Sequence, residues 1–103
     1  MIKIDGHDCI PVFAVQDVKC DIFYGTPLCN LTMDTDAAGI RQFIGMLRDN
    51  YLIHSWYNPH DYRLFRIGYF DIDDGQLVHE LPELIFDGAS LDISEWERGV
   101  STK

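Results

Sequence analysis

The segment from Tyr62 to Leu81, YRLFRIGYFDIDDGQLVHEL, decides the fold of this sequence. Its residues up to Ile72 are rich in aromatic and β-branched side chains, a composition that favours a strand. Asp74-Gly75 then supplies a tight turn, because glycine adopts positive φ without steric cost. Gln76 to Leu81 returns as the partner strand, so we predict a β-hairpin at the centre of a sheet.

The sequence around this hairpin indicates further strands and one loop. Residues Ile10 to Gln16 (IPVFAVQ) form a short apolar run, which predicts a strand buried on at least one face. Turn-forming residues are frequent from Asp17 to Pro27, where we predict a loop. Leu28 to Met33 is predicted as a second strand at the sheet edge, and Leu84 to Phe86 as one more short strand.

Between these strands the hydrophobic period changes to that of a helix. Apolar residues recur at helical spacing after Asp34, Thr35 and Asp36, which can cap the helix and complement its dipole. We predict one amphipathic helix that runs to about Asp49. Gly39 and Gly45 each weaken it by about 1 kcal/mol relative to alanine, so the helix must be stabilised by packing.

These elements predict a small single domain of the α+β class. One main amphipathic helix packs on one face of an antiparallel sheet that has the hairpin at its centre. The length of 103 residues is that of one ordinary domain, residues 1–103. Ser94 is followed three residues later by Glu97, which is the pattern of a capping box and predicts a helical turn near the C-terminus.

The composition limits the classes of partner. A net charge of −9 makes the average surface repel nucleic acid and anionic lipid, so any DNA contact must be a local patch. No stretch approaches the roughly 20 apolar residues that a membrane span needs, so we expect no membrane contact. Three cysteines in unrelated contexts indicate reduced thiols in a cytosol.

No motif in the sequence indicates catalysis or metal binding. Asp71, Asp73 and Asp74 resemble the start of a calcium loop, but Pro82 occupies the position of the bidentate glutamate. The histidines and cysteines form no pair at zinc-ligand spacing. We therefore expect a binding protein and not an enzyme, with no cofactor and no metal, although folding can assemble a catalytic site from distant residues.

One electrostatic pattern suggests a nucleic-acid site. Arg41 and Arg48 share one azimuth of the predicted helix, and arginines alternate with aromatic residues on the first strand of the hairpin. The alternative is a solvated helix flank beside a buried strand, which is common in globular domains. The candidate phosphate contacts are Arg41, Arg48, Arg63 and Arg66, and the candidate stacking residues are Tyr62 and Tyr69.

The order of four motifs resembles that of a known viral family. The motifs are Phe13–Asp17, the Ala-x-x-Ile-Arg-x-Phe pattern of Ala37–Phe43, the segment Asn58–Asp71 with its Pro-x-Asp-Tyr-x-Leu sequence, and Gly75–Leu77. Together they are similar to the small nonstructural protein of gokushoviruses, single-stranded DNA phages of the Microviridae. The similarity covers residues 12–77, and the leader 1–11 and the acidic tail 84–103 depart from it.

The resemblance implies a nonstructural phage protein in the host bacterial cytoplasm that assists replication of a single-stranded DNA genome. Members of the family are often described as DNA-binding, which implies single-stranded DNA as the partner. The acidity of this chain supports an alternative, a protein-interaction module that recruits or restrains viral or host replication proteins without touching nucleic acid. We also expect a homo-oligomer, because edge strands and exposed aromatic rings suit self-association.

Overall fold

The computed structural model describes residues 1–24, 27–49 and 59–92. These residues form one antiparallel sheet of five strands and one α-helix, α1. Three short 3₁₀ turns lie at Leu31–Met33, Pro59–Asp61 and Gly88–Ser90. The strands are β1 (Ile2–Ile4), β2 (His7–Asp17), β3 (Ile22–Phe23), β4 (Tyr62–Asp71) and β5 (Leu77–Asp87), and α1 comprises Asp36–Arg48.

The strand order is β1-β2-β4-β5, and β3 pairs with β2 as well. The predicted combination of one helix with an antiparallel sheet is therefore found in the structure. Strands β2 and β4 occupy the centre, whereas β5 lies at the edge, so the β4–β5 pair forms one side of the sheet. Strand β5 continues through the short strand that was predicted separately at Leu84–Phe86.

The N-terminal residues belong to the sheet, although sequence reasoning treated residues 1–11 as a leader. Strand β1 pairs with the start of β2, with Ile4 opposite His7. Asp5 and Gly6 connect them with φ values of 51° and 84°. These positive angles are typical of a two-residue hairpin turn, and the Asp-Gly pair was the sequence signal for it.

The prediction of a strand at Leu28–Met33 is wrong for most of its length. Leu28 alone forms a bridge, with Phe13 of β2, and Leu31–Met33 is a 3₁₀ turn. The side chain of Asn30 accepts a hydrogen bond from the backbone N–H of Thr32 at 2.9 Å. This local bond caps the turn and competes with strand pairing. Within the predicted loop at Asp17–Pro27, the short strand β3 was also missed.

The predicted helix is confirmed, with Thr35 as its N-cap. The Thr35 hydroxyl accepts a hydrogen bond from the backbone N–H of Ala38 at 3.1 Å. The helix buries Phe43 and Leu47 completely against the sheet residues Phe13 and Leu64. Burying side chains of this size stabilises the fold by about 2 kcal/mol each, which outweighs the weak intrinsic propensity of the helix. The capping box at Ser94–Glu97 lies outside the described residues.

Gly39 lets α1 approach the sheet closely. A methyl group at this position would lie 2.5 Å from two ring carbons of Phe13, which is fully buried. Any larger side chain would push the helix away from the ring. The glycine that weakens the helix in isolation is therefore required by its packing, whereas a methyl group at Gly45 would meet nothing within 4 Å.

Strand pairing is irregular around Ile67. Val12 lies opposite Gly68 and Phe13 opposite Arg66, so Ile67 is an extra residue in β4. Gly68 also allows close approach of β5, because a methyl group there would lie 2.2 Å from the carbonyl oxygen of Val78. A bulge of this kind increases the local twist of the sheet.

The two helical glycines provide a matched pair of mutations. We expect Gly39→Ala to lower the free energy of unfolding by about 1–3 kcal/mol, because the methyl group overpacks the Phe13 contact. Gly45→Ala should raise it by about 0.5–1 kcal/mol, since alanine favours the helix and the site is open. Urea denaturation of both variants would test this, and a stabilising Gly39→Ala would contradict the packing argument.

Candidate functional site

The four candidate arginines do not form one strip. Arg41 and Arg48 are exposed on the side of α1 that faces away from the sheet. Arg66 lies on the helix-covered face of the sheet, opposite Phe13 in the register of β2 and β4. Because side chains alternate along a strand, Arg63 lies on the other face of the sheet. The basic residues that sequence reasoning grouped together therefore lie on three separate surfaces.

Arg66 forms the most extensive ion-pair network among the described residues. Its guanidinium donates hydrogen bonds to Asp36 of α1 and, at 2.8 Å, to Glu83 of β5. Glu80 lies 3.7 Å from its Nε, and the guanidinium stacks 5.5 Å from the ring centre of Tyr69. Its side chain is only 15% exposed. Burial disfavours its charge, but Asp36 and the other carboxylates outweigh this effect and raise the pKa.

The remaining arginines have weaker partners. Arg63 donates a hydrogen bond to Asp87 at 3.2 Å, and Arg48 donates one to the neighbouring Asp49 at 3.4 Å. Arg41 makes no ion pair with any residue in the described ranges. Three of the four candidate phosphate contacts are thus already bound to carboxylates.

The two candidate tyrosines are positioned for packing. Tyr62 is 4% exposed and stacks on Tyr24, with ring centres 6.3 Å apart. Burial and a hydrogen bond with Tyr24 raise its pKa. Tyr69 is half-buried beneath the Arg66 guanidinium. The Tyr62 ring is therefore part of the core, and the Arg66 guanidinium covers one face of the Tyr69 ring.

The structure has an apolar groove that sequence reasoning did not predict. Side chains of β2 alternate, so that Phe13 and Val15 face α1 while Ile10 and Val12 face the opposite side. On that side, Ile10 and Val12 are at most 5% exposed and form the floor of a concavity, and Pro27, Cys29 and Leu31 form part of its wall. We call this concavity, of about 910 Å³, the sheet groove. The residues that line it include Ile10, Val12, Pro27, Cys29, Leu31, Ile67, Gly68, Phe70, Ile72, Leu77 and His79.

The continuous apolar run at Ile10–Val15 was the sequence signal for this groove. A strand that covers a core on one face only alternates with polar residues, whereas this run is apolar on both faces. The exposed wall of the groove includes Leu77, which is 72% exposed, and Leu31, which is 67% exposed. Exposed apolar patches of this kind are typical of interaction sites.

An acidic cluster lies at the turn between β4 and β5, where its carboxylates gather around His7. We call this turn, Ile72–Gln76, the acidic turn, since it contains Asp73 and Asp74. Asp73 accepts a hydrogen bond from the backbone N–H of Asp8 at 2.9 Å. Buried Asp71 accepts bonds from the N–H groups of Asp73 and Asp74 and pairs with His7 at 2.7 Å.

The oxygen and nitrogen atoms of His7, Asp71 and Asp73 lie within 4.8 Å of one another, a spacing that could hold a metal ion. Hydrogen bonds within the cluster account for this arrangement, because they close the turn and join it to β2. The cluster therefore has a structural explanation that requires no ion.

The fold and these surfaces define a small acidic α+β domain with an apolar groove on one face of its sheet. The model of the Phage ORF5 protein family matches residues 10–91, which is most of the chain. The chain therefore belongs to this phage protein family. No curated protein and no solved structure is significantly similar to it. No helix in the described ranges has the length and hydropathy that crossing a bilayer requires.

The His7–Asp71 pair should make stability depend on pH. The hydrogen bond with Asp71 raises the pKa of His7. Burial raises the pKa of Asp71, but hydrogen bonds from the backbone of the turn and from His7 outweigh this effect, so the pKa is lowered. Stabilisation by the pair is thus complete between about pH 4 and pH 6.5. It is lost at higher pH as folded-state His7 deprotonates, and at lower pH as Asp71 protonates.

We expect His7→Ala to abolish most of the decline in unfolding free energy between about pH 6 and pH 8. Denaturation curves across this range would measure the effect. Lys3→Ala is the control, because it removes an exposed ion pair with Asp8 from the same hairpin and leaves His7 in place. An equal decline in wild type and His7→Ala would contradict this role of the pair.

Proposed function

We propose that this phage protein assists replication of a single-stranded DNA genome in the infected bacterium by binding a replication protein rather than DNA. Membership of the Phage ORF5 family supports a phage role. The resemblance to gokushovirus nonstructural proteins supports a role in replication. The sheet groove is the observation that carries the mode of action, because its wall exposes the apolar side chains of Leu31 and Leu77 to a protein partner.

Electrostatics favours a protein partner over DNA. Single-stranded DNA is held by cationic grooves that follow the backbone and by exposed aromatic faces. Here Arg66, Arg63 and Arg48 are paired with carboxylates, and the net charge is −9. A phosphate would have to displace those carboxylates while approaching a negative surface, which costs Coulomb energy.

Affinity capture from phage-infected cells tests this proposal. We expect the full chain to retain a defined replication protein after nuclease treatment, because nucleic acid is not the bridge. Leu77→Ser, in the wall of the sheet groove, should reduce retention at least about tenfold, since burial of an apolar side chain contributes about 1.5–3 kcal/mol. Accumulation of phage single-stranded DNA should fall in parallel.

Leu81→Ser provides the matched control. Leu81 is on the same strand and is 85% exposed, but it does not line the sheet groove. Its substitution should leave capture unchanged. Release of all captured protein by nuclease, or equal losses with Leu77→Ser and Leu81→Ser, would contradict binding through the groove.

Direct binding of single-stranded DNA is the second candidate function. It is favoured by the two exposed arginines of α1, of which Arg41 has no carboxylate partner among the described residues. If it operates, affinity for labelled single-stranded DNA should fall by about 0.7 log unit per log unit of salt for each phosphate contacted.

An Arg41→Ala, Arg48→Ala variant should then bind more weakly, and its salt dependence should be shallower. If the protein instead binds a replication protein, the wild type should bind little single-stranded DNA at low salt, and the affinity of this variant should be the same. Strong salt-dependent binding that the variant loses would therefore favour the DNA function over the protein function.

A further inference from the structure

An aspartate is followed by a glycine at three places in the chain, Asp5-Gly6, Asp74-Gly75 and Asp87-Gly88. Such a pair can react with itself, because glycine has no side chain to shield its backbone nitrogen. That nitrogen can attack the side-chain carboxyl carbon of the preceding aspartate and close a cyclic imide, a succinimide. The three pairs share this chemistry, so their surroundings in the fold decide which of them reacts.

Hydrogen bonds hold both reacting groups of Asp74-Gly75. The backbone N–H of Gly75 donates to the carbonyl oxygen of Asp71 at 2.8 Å. The Asp74 carboxylate accepts a bond from the backbone N–H of Gln76 at 3.1 Å and lies 3.7 Å from Nδ1 of His7. Ring closure would have to break these contacts and distort the acidic turn, which hydrogen bonds join to β2.

Asp87-Gly88 is restrained by hydrogen bonds and by packing. One oxygen of the Asp87 carboxylate accepts a bond from the backbone N–H of Ala89 at 2.9 Å, and the other accepts one from Arg63 at 3.2 Å. Gly88 is buried, and a methyl group there would lie 2.3 Å from the carbonyl oxygen of Pro59. The nitrogen and the carboxyl group therefore cannot turn towards each other without displacing packed backbone.

Asp5-Gly6 lacks these restraints. Both residues are exposed, and a methyl group at Gly6 would meet nothing within 4 Å. Within residues 1–24, 27–49 and 59–92, no hydrogen bond or ion pair engages the Asp5 carboxylate or the Gly6 N–H. The fold thus leaves both reacting groups of this pair accessible.

The turn at Asp5-Gly6 also opens more readily than the acidic turn. Ring closure requires rotation about the Cα–C bond of Asp5, so the tight turn must open before the nitrogen reaches the carboxyl carbon. Strand β1 has three residues and pairs only with β2 among the described elements. The acidic turn instead joins strands of ten and eleven residues. Short strand pairings open locally at a lower free energy than long ones.

We propose that Asp5-Gly6 is a modification site, at which the chain converts aspartate to isoaspartate through a succinimide. The Gly6 nitrogen forms a bond with Cγ of Asp5, and the hydroxyl of the protonated carboxyl group leaves with the amide proton as water. A water molecule then adds to either carbonyl of the ring. Cleavage of the bond from nitrogen to Cγ restores aspartate, whereas cleavage of the bond from nitrogen to the main-chain carbonyl carbon yields isoaspartate.

Isoaspartate at this position should release β1 from the sheet. It adds the side-chain methylene carbon to the main chain, so the connection is no longer the two-residue turn that places Ile4 opposite His7. The pairing of Ile2 with Cys9 depends on the same register. The core between α1 and the sheet does not include β1, so it should survive the modification.

Incubation of the full chain at neutral pH and physiological temperature, followed by peptide mapping, tests the proposal. An isoaspartate-specific methyltransferase with a labelled methyl donor would quantify the product at each pair. We expect isoaspartate at residue 5 to accumulate at least severalfold faster than at residue 74 or 87. Equal rates at the three positions, or faster reaction at Asp74 or Asp87, would overturn the proposal.

Unfolding in urea separates the effect of the fold from that of the local sequence. The three pairs should react at similar rates in the denatured chain, because the hydrogen bonds and packing that distinguish them are lost. If residue 5 keeps the same advantage in urea, the fold is not its cause and the structural assignment fails.

Two substitutions at Asp5 identify the reacting residue. Asp5→Asn should accelerate isoaspartate formation severalfold, since ammonia leaves an amide more readily than an oxygen leaves an ionised carboxylate. Asp5→Glu should remove most of the label, because the larger ring that glutamate would form closes far more slowly. Label that persists in Asp5→Glu would show that another residue carries the modification.

Hydrogen exchange would measure the structural consequence. In the isoaspartate form, purified by chromatography, the amide hydrogens of β1 and of residues 7–9 should exchange severalfold faster than in the unmodified chain. Helix α1 provides the internal reference and should keep its protection. Equal protection of β1 in the two forms would contradict release of the strand.

Discussion

The contact between Gly39 and the ring of Phe13 determines how the two sides of the sheet are used. Because a methyl group at Gly39 would lie 2.5 Å from the ring, α1 can rest directly on β2 only with glycine there. Close packing of this kind fixes the helix on one face and completes the core with Phe43 and Leu47. The opposite face is also apolar and carries the sheet groove.

Arg66 is a candidate phosphate contact whose charge is already used by ion pairs within the fold. Its guanidinium connects Asp36 at the start of α1 with Glu83 on β5, and it covers the Tyr69 ring. These contacts join the helix to the edge strand on the covered side of the sheet. Although Arg66 lies among aromatic residues in the sequence, its contacts stabilise the fold, and the sheet groove lies on the other face of the sheet.

Sequence reasoning predicted elements whose signals are local. The cap at Thr35, the period of α1 and the strand character of β4 each depend on neighbouring residues, and the structure contains all three. The partners of Arg66 could not be predicted, because Asp36 is 30 positions away and is brought close only by folding. The sheet groove was missed for the same reason, since its walls come from separate segments.

One local signal in the sequence was missed: the Asp5-Gly6 pair is typical of the tight turn that connects β1 and β2. The 3₁₀ turn after Asn30 is a different case. The composition of its residues favours a strand. The Asn30 side chain accepts a hydrogen bond from the backbone N–H of Thr32, and this bond stabilises the turn instead.

The interrupted pairing of β5 has a consequence for the protein's behaviour at high concentration. Arg66 faces Glu83 and Gly68 faces His79, so Glu80–Pro82 lie opposite Ile67 alone. Pro82 also has no N–H to donate. The outer border of β5 therefore cannot template a long uninterrupted ladder with another molecule, which is the first step towards fibrils. The exposed leucines of β5 therefore lie on an edge whose backbone is a poor template for ordered aggregation.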